Sequence, residues 1–193
     1  MKLHLPVQLF RAVIALMAVA MPFSASAARK YSVSDGQQLT LSGYVELDLD
    51  ISEYYVSSTY SEVYGGAIDA TGTGSVTIRH YGSVLFNKNY AKASVSHSYG
   101  GAIYSYSGAI TLSGNESVTF SGNYSSADDS SYGGAIYSSS GDITLSGNES
   151  VTFSGNYAST SASYSSSSYY YSYGGAIYSE SGAITLSGNE SVT

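Results

Sequence analysis

The stretch Tyr99–Tyr124, YGGAIYSYSGAITLSGNESVTFSGNY, returns almost letter for letter at Tyr132–Tyr157, with only Tyr106 replaced by Ser139 and Ala109 by Asp142. Its opening resumes at Tyr173 and runs to Thr193. A looser copy comes first, opened by Tyr64-Gly65-Gly66-Ala67-Ile68 and closed by Phe86-Asn87-Lys88-Asn89-Tyr90. The Gly-Gly pairs begin at 65, 100, 133 and 174, so they stand 35, 33 and 41 residues apart. Self-similarity at such periods marks stacked repeats, each unit too small to bury its own apolar face.

Aligned on the glycines and the aromatic, Ile68 falls with Ile103, Ile136 and Ile177. Val76 and Ile78 fall with Ile110/Leu112, Ile143/Leu145 and Ile184/Leu186, and Val84/Phe86 with Val118/Phe120 and Val151/Phe153. Each unit therefore offers short alternating strands with one apolar face, separated by Ser-Gly-Asn or Gly-Asn-Glu turns whose residues tolerate left-handed backbone. Wound as a coil and stacked, equivalent strands pair in parallel about 4.8 Å apart. The expected fold is all-β: a right-handed parallel β-helix of about four to five coils, each of three short strands. An antiparallel meander or sandwich suits short strands and tight turns too, but near-identical successive units favour stacking like on like.

Working outward, residues 64–193 form the repeat region, cut off within its last unit. Residues 28–63 read as a degenerate first coil and cap, because Val45, Leu47, Leu49 and Ile51 alternate with acids; an ordinary amphipathic hairpin is the alternative. Between coils, Ala91–Ser98, Ser125–Ser131 and Ala158–Ser172 vary in length and composition. They are expected to be exposed, mobile loops on one side of the solenoid. Residues 1–27 have the pattern of a signal-peptide helix: Lys2, His4 and Arg11, an apolar run from Ala12 to Met21, then Ala25-Ser26-Ala27 at the spacing of a cleavage site. The run is half the roughly twenty apolar residues that a membrane helix needs.

Beyond residue 27 the chain holds five Lys and Arg against 14 Asp and Glu, a net charge of −9. That argues against nucleic acid, whose affinity rests on cationic contacts to phosphate, and against anionic membranes. With no cysteine, an exported fold of this kind holds itself by packing and backbone pairing rather than by disulfides.

The alternation of Gly-Gly-Ala-Ile with Phe-x-x-Asn resembles the repeat of the chlamydial-type polymorphic outer-membrane proteins. The first motif is Gly65, Gly66, Ala67, Ile68; Gly100, Gly101, Ala102, Ile103; Gly133, Gly134, Ala135, Ile136; and Gly174, Gly175, Ala176, Ile177. The second pairs Phe86 with Asn89, Phe120 with Asn123 and Phe153 with Asn156. The resemblance implies an autotransporter passenger, exported by its signal, displayed at the cell outer membrane by a C-terminal barrel that lies outside this sequence, and attaching to a host cell-surface protein or glycan. It also implies that both motifs are candidate adhesion residues. Tyr164, Tyr169, Tyr170 and Tyr171 are candidate binding-loop residues on separate grounds: tyrosine brings large contact area at low rotamer cost, and serine brings adaptable hydrogen bonding.

Catalysis is not expected, and no cofactor or metal is called for. Glycoside hydrolysis requires two carboxyls about 5–9.5 Å apart across a cleft, and Asp128-Asp129 is an adjacent pair in a Ser-rich variable segment. Glu116, Glu149 and Glu190 recur at turns, where acids are ordinarily solvated. Gly65-Gly66-Ala67-Ile68-Asp69 lacks the third glycine of the calcium-binding nonapeptide, and the other repeats carry Tyr at the Asp69 position. Two other functions fit the same fold, a structural stalk for a distal domain and the N-terminal part of a carbohydrate-active β-helix. Open strand edges at the solenoid ends predict self-association.

Overall fold

Each repeat closes one turn of a solenoid. In the computed structural model, which describes residues 26–27, 29–161 and 170–193, no helix occurs among the described residues. Residues 1–25 of the expected signal helix lie outside them, and Ser26–Ala27, expected to end it, instead form a short strand antiparallel to Val56 and Ser57. One turn consists of Ile103–Ser105, Ile110–Ser113, Ser117–Ser121, Tyr124–Ala127 and Ser131–Tyr132. Each of these strands pairs in parallel with its equivalent in the turn before and the turn after. Five sheets result, each running along the solenoid axis with one strand per turn. The architecture is the expected right-handed β-solenoid, with about four turns.

Like residues sit on like. Ile103 pairs with Ile136 and Ile136 with Ile177; Leu112 pairs with Leu145, and Phe120 with both Phe86 and Phe153. The Phe86, Phe120 and Phe153 rings stack at centroid distances of 4.7 and 5.1 Å, within 5° of parallel, which is the inter-strand spacing carried into the side chains. Ile, Leu, Val and Phe from three sheets fill one continuous core. Burying each large side chain contributes about 1.5–3 kcal/mol. At the turn into each interior coil the second glycine admits no side chain: a Cβ on Gly101 would lie 2.1 Å from the Gly134 carbonyl oxygen, and one on Gly134 2.0 Å from that of Gly175.

The coil is built from more strands than the alternation predicts. Besides the three apolar strands, each turn has a strand such as Tyr124–Ala127 and a two-residue strand such as Ser131–Tyr132. Parts of the variable segments are thus ordered sheet where loops were expected: residues 91–93, 125–127 and 158–160 lie in strands, and Ser98, Ser125, Ala127, Ser130 and Ser131 are buried. Val95, by contrast, is exposed as expected, and residues 162–169 lie outside the described residues. They enclose a second, smaller cluster of Val56, Val63, Ala91, Ala93 and Ala127. Small side chains let the two walls approach closely, and hydroxyls that read as loop residues find partners inside: Ser98 Oγ and Ser125 Oγ lie 2.6 Å apart, and Ser125 Oγ donates to the Ser98 carbonyl at 2.9 Å.

Residues 31–64 wind as the first turn. Tyr31–Val33, Gln38–Ser42 and Asp48–Ser52 pair in register with the turn above. Val45 and Leu47 are exposed, however, because the chain turns there, with the Leu47 amide donating to the Tyr44 carbonyl at 2.8 Å. The alternation at 45–51 therefore carries only Leu49 and Ile51 inward. Arg29 tucks beneath this turn, 3.0 Å from the Asp69 carboxylate, and donates to the Tyr64 and Gly65 carbonyls at 2.5 and 3.2 Å. Burial works against both charges of the pair, and each partially offsets the cost to the other.

Candidate functional site

Both motifs point inward in the interior turns. Ala67, Ala102, Ala135, Ile68, Ile103 and Ile136 are closed to solvent, as are Phe86, Phe120, Asn89 and Asn123. Gly65, Gly100 and Gly133 hold φ between 50° and 62°, the left-handed region where glycine costs least. The asparagine of Phe-x-x-Asn bridges turns. Asn123 Nδ2 donates to the Phe86 carbonyl and to Asn156 Oδ1, both at 2.9 Å, while its Oδ1 accepts from the Asn89 amide at 3.0 Å and from Asn89 Nδ2 at 2.9 Å. A second asparagine ladder, Asn115, Asn148 and Asn189, repeats the device at the preceding corner of the same turns. Buried backbone polar groups demand partners, and these ladders supply them. Only the last copies reach solvent: Phe153, Asn156, Gly174, Ala176 and Ile177 are half-buried and Gly175 is exposed. A macromolecule meeting the interior turns touches the surface that the motifs hold up, rather than their side chains.

That surface is ruled by tyrosine in three ladders. Tyr55, Tyr90, Tyr124 and Tyr157 stack with centroids 5.0, 4.8 and 5.1 Å apart. Tyr64, Tyr99, Tyr132 and Tyr173 form a second column at 5.2, 5.0 and 5.6 Å. Tyr104, Tyr137 and Tyr178 form a third at 5.5 and 5.8 Å. The second and third meet edge to face, as in the Tyr99–Tyr137 contact at 5.0 Å and 61°, the arrangement the ring quadrupole favours. Tyr104 and Tyr137 are buried by it. In the second turn Asp69 takes the register position of Tyr104, which is where Arg29 is received.

Acids edge this corner. The Tyr64 hydroxyl donates to Glu62, and that of Tyr137 to Glu180 at 3.0 Å. Burial, followed by nearby negative charge, pushes the Tyr64, Tyr99 and Tyr104 phenols well above the ordinary value of 10.0. Burial does the same for Tyr137, with Glu180 adding to it. The phenols thus stay neutral donors. Of the loop tyrosines, Tyr170 is half-buried and Tyr171 exposed, stacking on Tyr173 at 5.5 Å; Tyr164 and Tyr169 lie outside the described residues. Glu116, Glu149 and Glu190 are all exposed at turns. Asp129 lies 3.6 Å from His97 Nε2, and Asp128 accepts from Ser161 Oγ at 2.7 Å. Among the described residues, no group of three His, Cys, Asp or Glu side chains is placed to hold a metal ion. The burial of the tyrosine corner was not legible beforehand, although the regular return of Tyr99/Tyr132 and Tyr104/Tyr137 was its signal.

Residues 83–106 and 117–139 match the Chlamydia polymorphic membrane protein repeat. Those two segments carry this repeat. Each matched segment runs from the phenylalanine strand, around the small cluster, through Gly-Gly-Ala-Ile to the strand that follows. In this chain each matched segment is therefore a stacking unit, running from one inward aromatic past the buried isoleucine of the next turn. No curated protein and no solved structure gives a significant match to the chain.

Proposed function

We propose that this chain is the surface-exposed passenger part of an outer-membrane autotransporter and works as an adhesin. Its partner is a host cell-surface protein or glycan, and its contact surface is the tyrosine-bearing flank rather than the motif side chains. A polymorphic membrane protein repeat wound into a solenoid fits a surface passenger. The observation that carries the adhesive part is the tyrosine corner: stacked phenols, partly exposed and edged by Glu62 and Glu180, continue along the axis from turn to turn. Pre-stacked rings lose little freedom on binding, and bury much area. Gly-Gly-Ala-Ile and Phe-x-x-Asn contribute by setting the spacing of that surface.

Saturable binding of the folded chain to host cells tests this. Replacing Tyr170 and Tyr171 together with Tyr132 and Tyr173 by serine is expected to abolish binding while the β-sheet circular dichroism persists. Binding that survives those changes overturns the tyrosine flank as the contact surface. A second function, a stiff stalk that holds a distal segment away from the cell, is favoured by the unbroken asparagine and phenylalanine ladders. Absence of any saturable binding by the intact chain would leave the stalk.

A further inference from the structure

Past residue 27 the chain contains no cysteine, methionine or tryptophan. The sulfur side chains that ordinarily absorb oxidants first are missing, and tyrosine is left as the readily oxidised group. The three tyrosine ladders differ in how they present it. Tyr104 and Tyr137 are buried, and the rings of Tyr99 and Tyr132 are held by the edge of Tyr137 at 5.0 and 6.0 Å. The ladder of Tyr55, Tyr90, Tyr124 and Tyr157 stands on the opposite wall of the small cluster. Among the described residues, Tyr90 and Tyr124 stack only on their ladder neighbours. Beside the rings, two residues along the same face, run Ser57, Lys92, Ser126 and Ser159, which leave that flank open. Tyr55, Tyr90 and Tyr124 are half-buried and Tyr157 is 47 % exposed.

We infer that this ladder is an oxidative modification site, at which a haem peroxidase and hydrogen peroxide join tyrosines of successive turns as dityrosine. Backbone register places Tyr55 on Tyr90, Tyr90 on Tyr124 and Tyr124 on Tyr157, with ring planes within 11° of parallel. The ortho carbons of neighbouring rings therefore lie over one another, and rotation about the ring axis brings them together. Each phenol gives up one electron and one proton to the peroxidase, leaving a tyrosyl radical. Two adjacent radicals pair their electrons in a new carbon–carbon bond between ortho positions. The hydrogen on each bonded carbon then moves to its oxygen and restores the phenol. The two electrons and two protons released reduce one hydrogen peroxide to two waters, so two tyrosines and one peroxide give one dityrosine and two waters. Each bond ties one turn to the next and constrains the unfolded chain as a disulfide would. A chain built without cysteine acquires covalent staples in this way.

The test treats the folded full-length chain, at high dilution, with a haem peroxidase and limiting hydrogen peroxide. Dityrosine fluorescence, mobility under denaturing conditions and mass analysis of cross-linked peptides are the readouts. The expected products are monomeric chains joined at Tyr55–Tyr90, Tyr90–Tyr124 and Tyr124–Tyr157, each lighter by two hydrogens per bond, with a raised unfolding temperature. The double variant Tyr90→Phe/Tyr124→Phe keeps the stacked rings and loses all three cross-links, whereas Tyr104→Phe/Tyr137→Phe retains them. Dityrosine found only between chains, undiminished dityrosine in the Tyr90→Phe/Tyr124→Phe monomer, or no dityrosine at all would overturn the assignment. An unfolding temperature unchanged by cross-linking would overturn the stapling role.

Discussion

The two apolar clusters enclosed by each turn are made of different materials. The large one is filled by Ile, Leu, Val and Phe, repeated at the same positions from turn to turn. The small one holds Val56 and Val63 in the first turn, Ala91 and Ala93 in the second and Ala127 in the third, with Ser98, Ser125 and Ser131 completing its walls. In the large cluster the side chain occupies the space, so a changed letter leaves a cavity or a clash. In the small cluster the backbones already nearly fill it, and any residue with a methyl or hydroxyl suffices. Sequence drift and length variation accordingly gather at the small cluster's outer corner, between Ala93 and Ser98, Ala127 and Ser131, and Thr160 and Ser172.

Substitutions at both clusters can break or sharpen that contrast. Gly134→Val carries the largest effect, since a Cβ there meets the Gly175 carbonyl oxygen at 2.0 Å and the Tyr157 backbone at 2.6 Å. A loss of about 4 kcal/mol or more is expected in denaturant unfolding; tolerance would mean the turn is not as tightly drawn. Phe120→Ala, between two stacked rings and fully buried, is expected to cost about 3–5 kcal/mol. Phe153→Ala, with a ring on one face and partial exposure, should cost less. Equal costs would show that stacking on both faces adds nothing.

Asn123→Ala leaves the Phe86 carbonyl and the Asn89 amide without their partner, so a loss of about 1–3 kcal/mol is expected. Alkaline pH supplies a further test. The folded phenols of Tyr99, Tyr104 and Tyr137 lie above the ordinary 10.0. Their contribution to stability is fully present below pH 10 and is lost as pH rises through the raised folded values. The unfolding temperature should therefore fall on titration above about pH 10, and fall less in Tyr99→Phe/Tyr137→Phe. The smallest effect belongs to the small cluster's outer wall: Ser126→Ala should change stability by no more than about 0.5 kcal/mol, and a larger loss would mean this wall is as exacting as the phenylalanine ladder.

Much of this was written in the alternation itself. Ile103, Leu112, Val118 and Phe120 declare their inward face because a strand alternates sides with period two, and their return one repeat later declares what they stack upon. Asn123 could be read as a turn residue but not as a bridge, since its partners Phe86, Asn89 and Asn156 come from the turns before and after. Val45 and Leu47 show the opposite failure: a periodic pattern continued past the point where the chain turned.

The sequence by itself determined the stacking, because identical units that cannot close a core alone must place like on like. It also determined the large cluster, the family of the repeat and the acidic, cysteine-free character of the chain. Tertiary structure alone decided that Ser125 and Ser131 are interior, that Arg29 reaches Asp69, and that the tyrosines divide into a buried corner and an open ladder. Small polar residues carry no periodic apolar signal. Contacts between turns join residues some 27 to 43 positions apart, and only the winding of the chain sets them side by side.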